Sequence, residues 1–153
     1  MEGNFAARPL RTEDGPELSA LLLAQAPEYV RYFTPFAFDR ETVSRTLARR
    51  DQDVFTGFYW RSRLVGFFML RGWDEGYDVP AYGVLVDEQF GGYGLATVSL
   101  RMAKAVCKLS GAPRIMLKVH PANERARRIF ERAGFVRVGT DPEGEKLIYH
   151  FNL

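Results

Sequence analysis

The sequence predicts an α/β (α+β) fold. One mixed, mostly antiparallel sheet of about seven strands carries helices on both faces, with a central β-α-β crossover. Three observations carry this. Short runs rich in aromatic and β-branched residues alternate with helix-periodic segments along the chain. Three such strand-like runs end at Val86, with Asp53–Arg61 and Leu64–Arg71 before Ala81–Val86, the pattern of an antiparallel meander. The third run feeds a glycine-rich turn and an amphipathic helix, and a further strand follows. The 153 residues, 1–153, fit a single domain with a sizeable core.

Taken in order, Phe5 to Leu10 reads as a strand. Thr12 or Asp14 is placed to cap a helix whose Leu18, Leu21 and Leu22 share a face. Pro27 to Phe33 reads as a short aromatic helix, broken by Thr34-Pro35-Phe36. Asp39 caps another helix with a thin apolar face of Val43 and Leu47; Thr42 stands where a capping box needs Glu or Gln. The aromatics Tyr29, Tyr32, Phe33, Phe36 and Phe38 read as core, with the wall of a substrate pocket as the alternative. Arg61-Ser62-Arg63 joins two strands into a hairpin, and the loop Arg71 to Pro80 follows, with several acids, a Trp and a Tyr. After the glycine turn, Leu95, Val98, Met102, Val106 and Leu109 recur at spacings of three and four, until Gly111 and Pro113 end the helix. Arg114 to Val119 alternates as a strand. Ala122, Ala126, Ile129, Phe130 and Ala133 line one side of the next helix, arginines line the other, and Gly134 suits its C-terminus. A hairpin of Phe135–Val138 and Glu145–Phe151 closes the chain.

The turn carries the chemistry. In Val84 to Ala96 a short apolar run is followed by Gly91, Gly92 and Gly94 and then by the start of a helix. A helix start leaves backbone N–H groups unpaired, and these together with the dipole favour phosphate. The plainer reading is a turn that needs glycine for geometry alone. Two familiar phosphate motifs fit badly. A P-loop ends in Gly-Lys-Ser/Thr, whereas the tail here is Gly94-Leu95-Ala96-Thr97. A dinucleotide fingerprint needs glycine at position 97 and a later acid on the next strand, and neither is present.

The totals exclude other classes. A net charge of +2 is too mild to argue for nucleic acid. One cysteine, Cys107, excludes an internal disulfide and reads as a buried, inert thiol. No apolar run reaches membrane-spanning length and no signal peptide opens the sequence, so a cytoplasmic location without membrane contact is expected.

These residues resemble the GNAT superfamily of acyl-CoA N-acyltransferases over nearly the whole chain. The family motif Gln/Arg-x-x-Gly-x-Gly/Ala matches Gly91-Gly92-Tyr93-Gly94-Leu95-Ala96, with Gly91 departing from the usual first residue. A second register begins at Gln89. The other signature is Asn123-x-x-Ala126-x-x-x-Phe130-x-x-x-Gly134-Phe135, in which Phe130 stands where the family commonly has the Tyr that protonates the departing thiolate. The resemblance implies a GNAT fold and acetyl-CoA as co-substrate, with no metal. Its pyrophosphate would lie on the N–H groups of Gly91, Gly92, Tyr93, Gly94, Leu95 and Ala96. Its pantetheine arm would enter between splayed strands Ala81–Val86 and Arg114–Val119, near the backbone of Leu85 and Val86, with Asn123 and Phe130 alongside. Asn123 reads equally as an N-terminal helix contact.

The implied reaction is direct attack by a primary amine, with the thioester carbonyl polarised by a backbone N–H. The amine must first lose a proton. The family often places a Glu where Ala81 or Tyr82 stands, so Asp74, Glu75, Asp78 and His120 are the base candidates. His120 alternatively bonds backbone at the helix start, and the loop acids are alternatively solvated or bind a cationic acceptor. In place of Phe130, water, Tyr82 or Tyr93 could protonate the thiolate. The stretch Arg71 to Tyr77 resembles loops of GNAT proteins tied to surface-sugar biosynthesis, with Trp73 and Tyr77 placed to stack on a sugar. The expected acceptor is therefore the amine of a small molecule, an amino sugar or nucleotide-linked amino sugar. The alternatives are a protein N-terminal or lysine acetyltransferase, or a non-catalytic acyl-CoA-binding module. The family often forms homodimers, and the first helices or last strands would be the place for one.

Overall fold

Apolar periodicity sets the elements, and the computed structural model describes residues 4–153 of them. Strands β1 (Phe5–Pro9), β2 (Val54–Trp60), β3 (Arg63–Arg71) and β4 (Ala81–Val86) form an antiparallel meander. Strand β5 (Arg114–Val119) is parallel to β4, and β7 (Leu147–Asn152) and β6 (Val136–Thr140) complete the sheet in the order β1-β2-β3-β4-β5-β7-β6. The helices are α1 (Gly15–Leu23), α2 (Pro27–Val30), α3 (Arg40–Arg49), α4 (Leu95–Leu109) and α5 (Glu124–Arg132). The β4-α4-β5 unit is the central crossover.

Two apolar cores sandwich the sheet. Leu100, Ala103 and Cys107 of α4 and Phe130 of α5 pack with Phe58, Phe68, Leu117 and Tyr149 on one face. Leu18, Leu21 and Leu22 of α1 and Val43 and Leu47 of α3 pack with Phe55, Phe67, Met69 and Leu85 on the other. Alternation along each strand serves both faces at once. It slips where β3 pairs Phe58 with Gly66 but Tyr59 with Leu64, and the extra residue, Val65, turns Leu64 to the same face as Phe67; a second slip lies in β6, between Arg137 and Gly139.

The helix starts differ from expectation in one place. Neither Thr12 nor Asp14 caps α1 with its side chain; Thr12–Asp14 is a 3-10 turn. The Asp14 carboxylate turns back, taking two bonds from Arg8 at 2.9 and 3.0 Å and the Arg11 N–H at 2.7 Å. A buried carboxylate is better satisfied by a guanidinium than by a helix end. Asp39 does cap α3, accepting from Thr42 N–H at 2.9 Å. The second helix is a single turn, ending at Val30 rather than Phe33.

One feature of the sheet positions the site. β4 and β5 share the single bridge Ala81–Met116, with Met116 N–H donating to Pro80 O at 3.0 Å. Beyond it the two strands part.

Candidate active site

The parting strands leave a cleft of about 720 Å³ that passes through the sheet. Its floor and sides are β4 from Tyr82 to Val86 and β5 from Leu117 to Val119. On one face lie the turn residues Gly91, Gly92 and Gly94, the α4 start and the α5 start; on the other lie Glu28, Tyr29, Tyr32 and Phe33 from the α2 region.

The backbone at the splay is fixed by parity. Asp87 N–H donates to Val65 O at 2.8 Å, and Pro80 O accepts from β5. Alternate residues therefore turn opposite ways, so Tyr82, Val84 and Val86 direct their backbone groups toward β5 and into the cleft. This corrects the expectation for Leu85, whose backbone faces β3 and whose side chain enters the α1/α3 core. Val84 takes its place beside Val86.

The turn is built for open backbone. Asp87 accepts Gln89 N–H at 2.9 Å and starts a 3-10 turn, Glu88–Phe90, which takes the Gly91 N–H on Glu88 O at 3.1 Å. Gly91 thus has no free donor, a second correction. Gly92 and Gly94 follow at φ +81° and +84°, a region that favours glycine, and nothing lies within 4 Å of where either Cβ would be. No side chain caps α4, whose first turn closes with Val98 N–H on Gly94 O at 3.0 Å. Among the described residues, the N–H groups from Gly92 to Thr97 have no protein partner. Tyr93 projects outward and leans on Phe90. The donors, the dipole and the open space together fit a phosphate group.

The titratable residues sort by geometry. Tyr82 is buried, edge-on to Phe130 at 6.1 Å, and bonded to Ser99. Ser99 Oγ lies 2.9 Å from Ala96 O, which can only accept, so Ser99 donates there and Tyr82 donates to Ser99. Burial also holds the Tyr82 hydroxyl well above its ordinary pKa. Its proton is committed, which argues against Tyr82 as thiolate acid. His120 reaches the cleft, stacked on Tyr32 at 4.4 Å. Its Nδ1 accepts Ala122 N–H at 3.1 Å, so the neutral ring carries its proton on Nε2, which faces Glu145 at 3.8 Å. The ring offers a donor rather than a lone pair. Asn123 caps α5, accepting Ala126 N–H at 3.3 Å, while still lining the cleft.

The acidic loop goes elsewhere. Trp73, Asp74, Glu75 and Tyr77 precede β4 at the closed end of the splay and do not line the cleft. Asp74 accepts Asp51 and Gln52 N–H groups at 2.9 and 2.6 Å, and these bonds hold its carboxyl below the usual range. Asp53 answers with bonds from Gly72 and Asp74 N–H at 3.0 and 3.1 Å. The loop braces the entry to β2, and Trp73 packs on the core.

What the sequence reading passed over is Glu28, a cleft carboxylate one residue from Tyr29. Glu124 is the other acid on the cleft. Tyr29, Tyr32 and Phe33 prove to be cleft wall as well as packing. Tyr29 donates to Val86 O at 2.6 Å and thereby pins α2 to the open edge of β4; Gln25 Oε1 adds a bond from Glu88 N–H at 3.0 Å. An aromatic residue spaced near prolines gives no periodic signal of such a role. Burial pushes the Cys107 thiol up to about 11, and it stays protonated within the α4 core. Among the described residues no group of three or more His, Cys, Asp or Glu could hold a metal ion, and no helix is long and apolar enough to cross a membrane.

A mixed sheet that opens between parallel strands onto a helix start with free donors defines an acyl-CoA-dependent N-acyltransferase. The family profile described as Acetyltransferase (GNAT) domain matches residues 5–136, and the chain belongs to this family. It uses acetyl-CoA as acyl donor. No curated protein matches the sequence. Among solved structures, the chain is similar to a PaiA N-acetyltransferase from Thermoplasma acidophilum in complex with coenzyme A, at 17% identity and a TM-score of 0.82, covering 99% of this chain and 100% of that one. A domain from Methanocaldococcus jannaschii is similar at 21% identity and 0.80, covering 99% and 100%. An acetyltransferase from Salmonella typhimurium, described as modifying the N-terminal serine of ribosomal protein L7/L12, is similar at 15% and 0.81, covering 99% and 96%. At these identities the likeness is one of fold.

Proposed function

We propose that the protein moves the acetyl group of acetyl-CoA to the primary amine of a small molecule, by direct attack while both are bound. The observation that carries this is the through-sheet cleft, with unpaired N–H donors on one face of the splay and an aromatic, acidic wall on the other. Acetyl-CoA supplies the reactive thioester. The N–H groups of Gly92, Tyr93, Gly94, Leu95 and Ala96 hold its pyrophosphate. The backbone groups of Val84 and Val86 pair with the pantetheine arm, and one N–H at this edge polarises the thioester carbonyl. Phe130 and Asn123 border the arm.

On the other face, Tyr29, Tyr32 and Phe33 wall the acceptor and Glu28 takes the proton from its ammonium. His120 can donate its Nε2 proton to an oxygen of the acceptor, leaving the amine lone pair free to attack. With Phe130 in place of an acid, the thiolate leaves to water; thiols are acidic enough for this. The amino-sugar reading loses the support of Trp73 and Tyr77, which lie off the cleft, so the aromatic surface for any sugar is Tyr29, Tyr32 and Phe33.

The test is thiol release from acetyl-CoA against small amines, amino sugars, nucleotide-linked amino sugars and peptides with free N-termini. Turnover with a small amine is expected. Peptides outpacing every small amine would make this a protein N-terminal acetyltransferase. Tight acetyl-CoA binding with no release for any acceptor would make it a non-catalytic acyl-CoA-binding module.

A further inference from the structure

Gly91 is a glycine without a backbone reason. Its φ of −65° and ψ of 150° suit any residue. What surrounds it is specific. A Cβ there would sit 3.2 Å from Glu88 O and 3.4 Å from Nη2 of Arg125. The Arg125 guanidinium, sent across from the first turn of α5, lies over the bare Cα of Gly91.

Of the other α5 arginines, Arg132 lies in the last turn and does not line the cleft, and the remaining two are partnered. Arg127 donates to Pro121 O at 3.1 Å and to the Tyr149 hydroxyl at 3.5 Å, and Arg128 pairs with Glu124 at 3.6 Å. Arg125 makes no hydrogen bond or ion pair among the described residues, though it is on the cleft. Its forked donors are unspent, and they sit beside the unpartnered N–H groups that begin at Gly92. Two independent sets of donors, one charged and one backbone, thus flank the same open volume from α5 and α4. A planar guanidinium matches an anion with several oxygens in one plane, and a pyrophosphate offers oxygens to both sets at once.

We infer that Arg125 closes the anion site over the glycine turn, gripping the pyrophosphate of coenzyme A from α5. The inference rests on coenzyme A being the cofactor. It does not depend on which amine is acetylated, because it is tested without an acceptor.

The experiment is calorimetric binding of coenzyme A and of 3′-dephospho-coenzyme A to the wild type, Arg125→Ala and Arg125→Lys. Arg125→Ala is expected to weaken both ligands by the same factor, roughly 10- to 100-fold, and Arg125→Lys to recover only part of it. Arg125 is exposed, so the thermal midpoint of the ligand-free protein is expected to stay put, which separates lost contact from lost fold. Unchanged affinity in Arg125→Ala overturns the inference. So does a loss seen with coenzyme A that vanishes with the dephospho form, which would move Arg125 onto the 3′-phosphate. A wild type that binds neither ligand would overturn the inference together with the cofactor site beneath it.

Discussion

Asp74 and Glu28 show how a carboxylate's work follows from where its oxygens point. Asp74 sits in a loop with the acidic, aromatic composition of a site, yet its oxygens are spent on the N–H groups of Asp51 and Gln52. Asp74→Asn should therefore loosen the entry to β2, read as faster amide exchange at Asp51 and Gln52, with acetyl transfer within about twofold of wild type. Among the described residues Glu28 has no such engagement, and it lines the cleft. Glu28→Gln should lower kcat/KM roughly 100-fold while leaving coenzyme A affinity unchanged, measured by steady-state kinetics and calorimetry. Equal turnover in Glu28→Gln would move the base to water. Tyr82 is the third case. Its hydroxyl feeds Ser99 and then the Ala96 carbonyl, so Tyr82→Phe should cost about 1 kcal/mol of stability in denaturant unfolding. A large fall in thiol release without that stability loss would make Tyr82 the proton donor after all.

Elements are where the sequence was most and least legible. The helices α3 and α4 and the strands of the meander stand within a residue or two of where periodicity sets them, because a buried stripe or an alternating face repeats over many residues. The entry to α1 is not legible because a capping residue and an ion-pairing residue are the same Asp in sequence; only the distant Arg8 decides between them. That pairing ties β1 to α1 and has a pH signature. The Arg8 guanidinium holds the Asp14 carboxyl below its ordinary range. A depressed carboxylate adds stability above its unfolded pKa, about 4, and loses it as pH falls through the folded value. Asp14→Asn should then be less stable than wild type by about 1–2 kcal/mol at pH 7, with the gap closing as pH falls from about 4 through the depressed folded value. Parallel curves across that range would show that the ion pair contributes nothing.

At the scale of the whole molecule, the glycine turn and the two strands around it were legible as a cofactor site, since phosphate binding is a local property of backbone. The acceptor wall was not. Tyr29 meets β4 across more than fifty residues of chain, fixed there by Val86 O, while Phe33 meets Phe67 of β3 and Tyr32 stacks on His120. No window on the sequence spans that distance, whereas the Trp73–Tyr77 loop has the composition of a binding site and the position of a brace. The consequence is a cleft with unpaired edges running through the centre of the sheet, bordered by both cores. A ligand that fills it bridges β4 to β5 where the protein supplies only the Ala81–Met116 bridge. Such a ligand binds the folded state alone, so stability should rise as RT ln(1 + [L]/Kd), about 2.7 kcal/mol at a hundredfold excess over Kd. For a chain of this size that is a rise in thermal midpoint of roughly 5–10 °C. Replacing Gly94, at φ +84°, by Pro removes the turn conformation and should abolish most of the rise, while Gln89→Ala should retain it, since the Gln89 side chain makes no hydrogen bond among the described residues. No rise in the wild type would mean that the cleft does not hold the cofactor, and a rise lost in Gln89→Ala would move the site to the register that begins at Gln89.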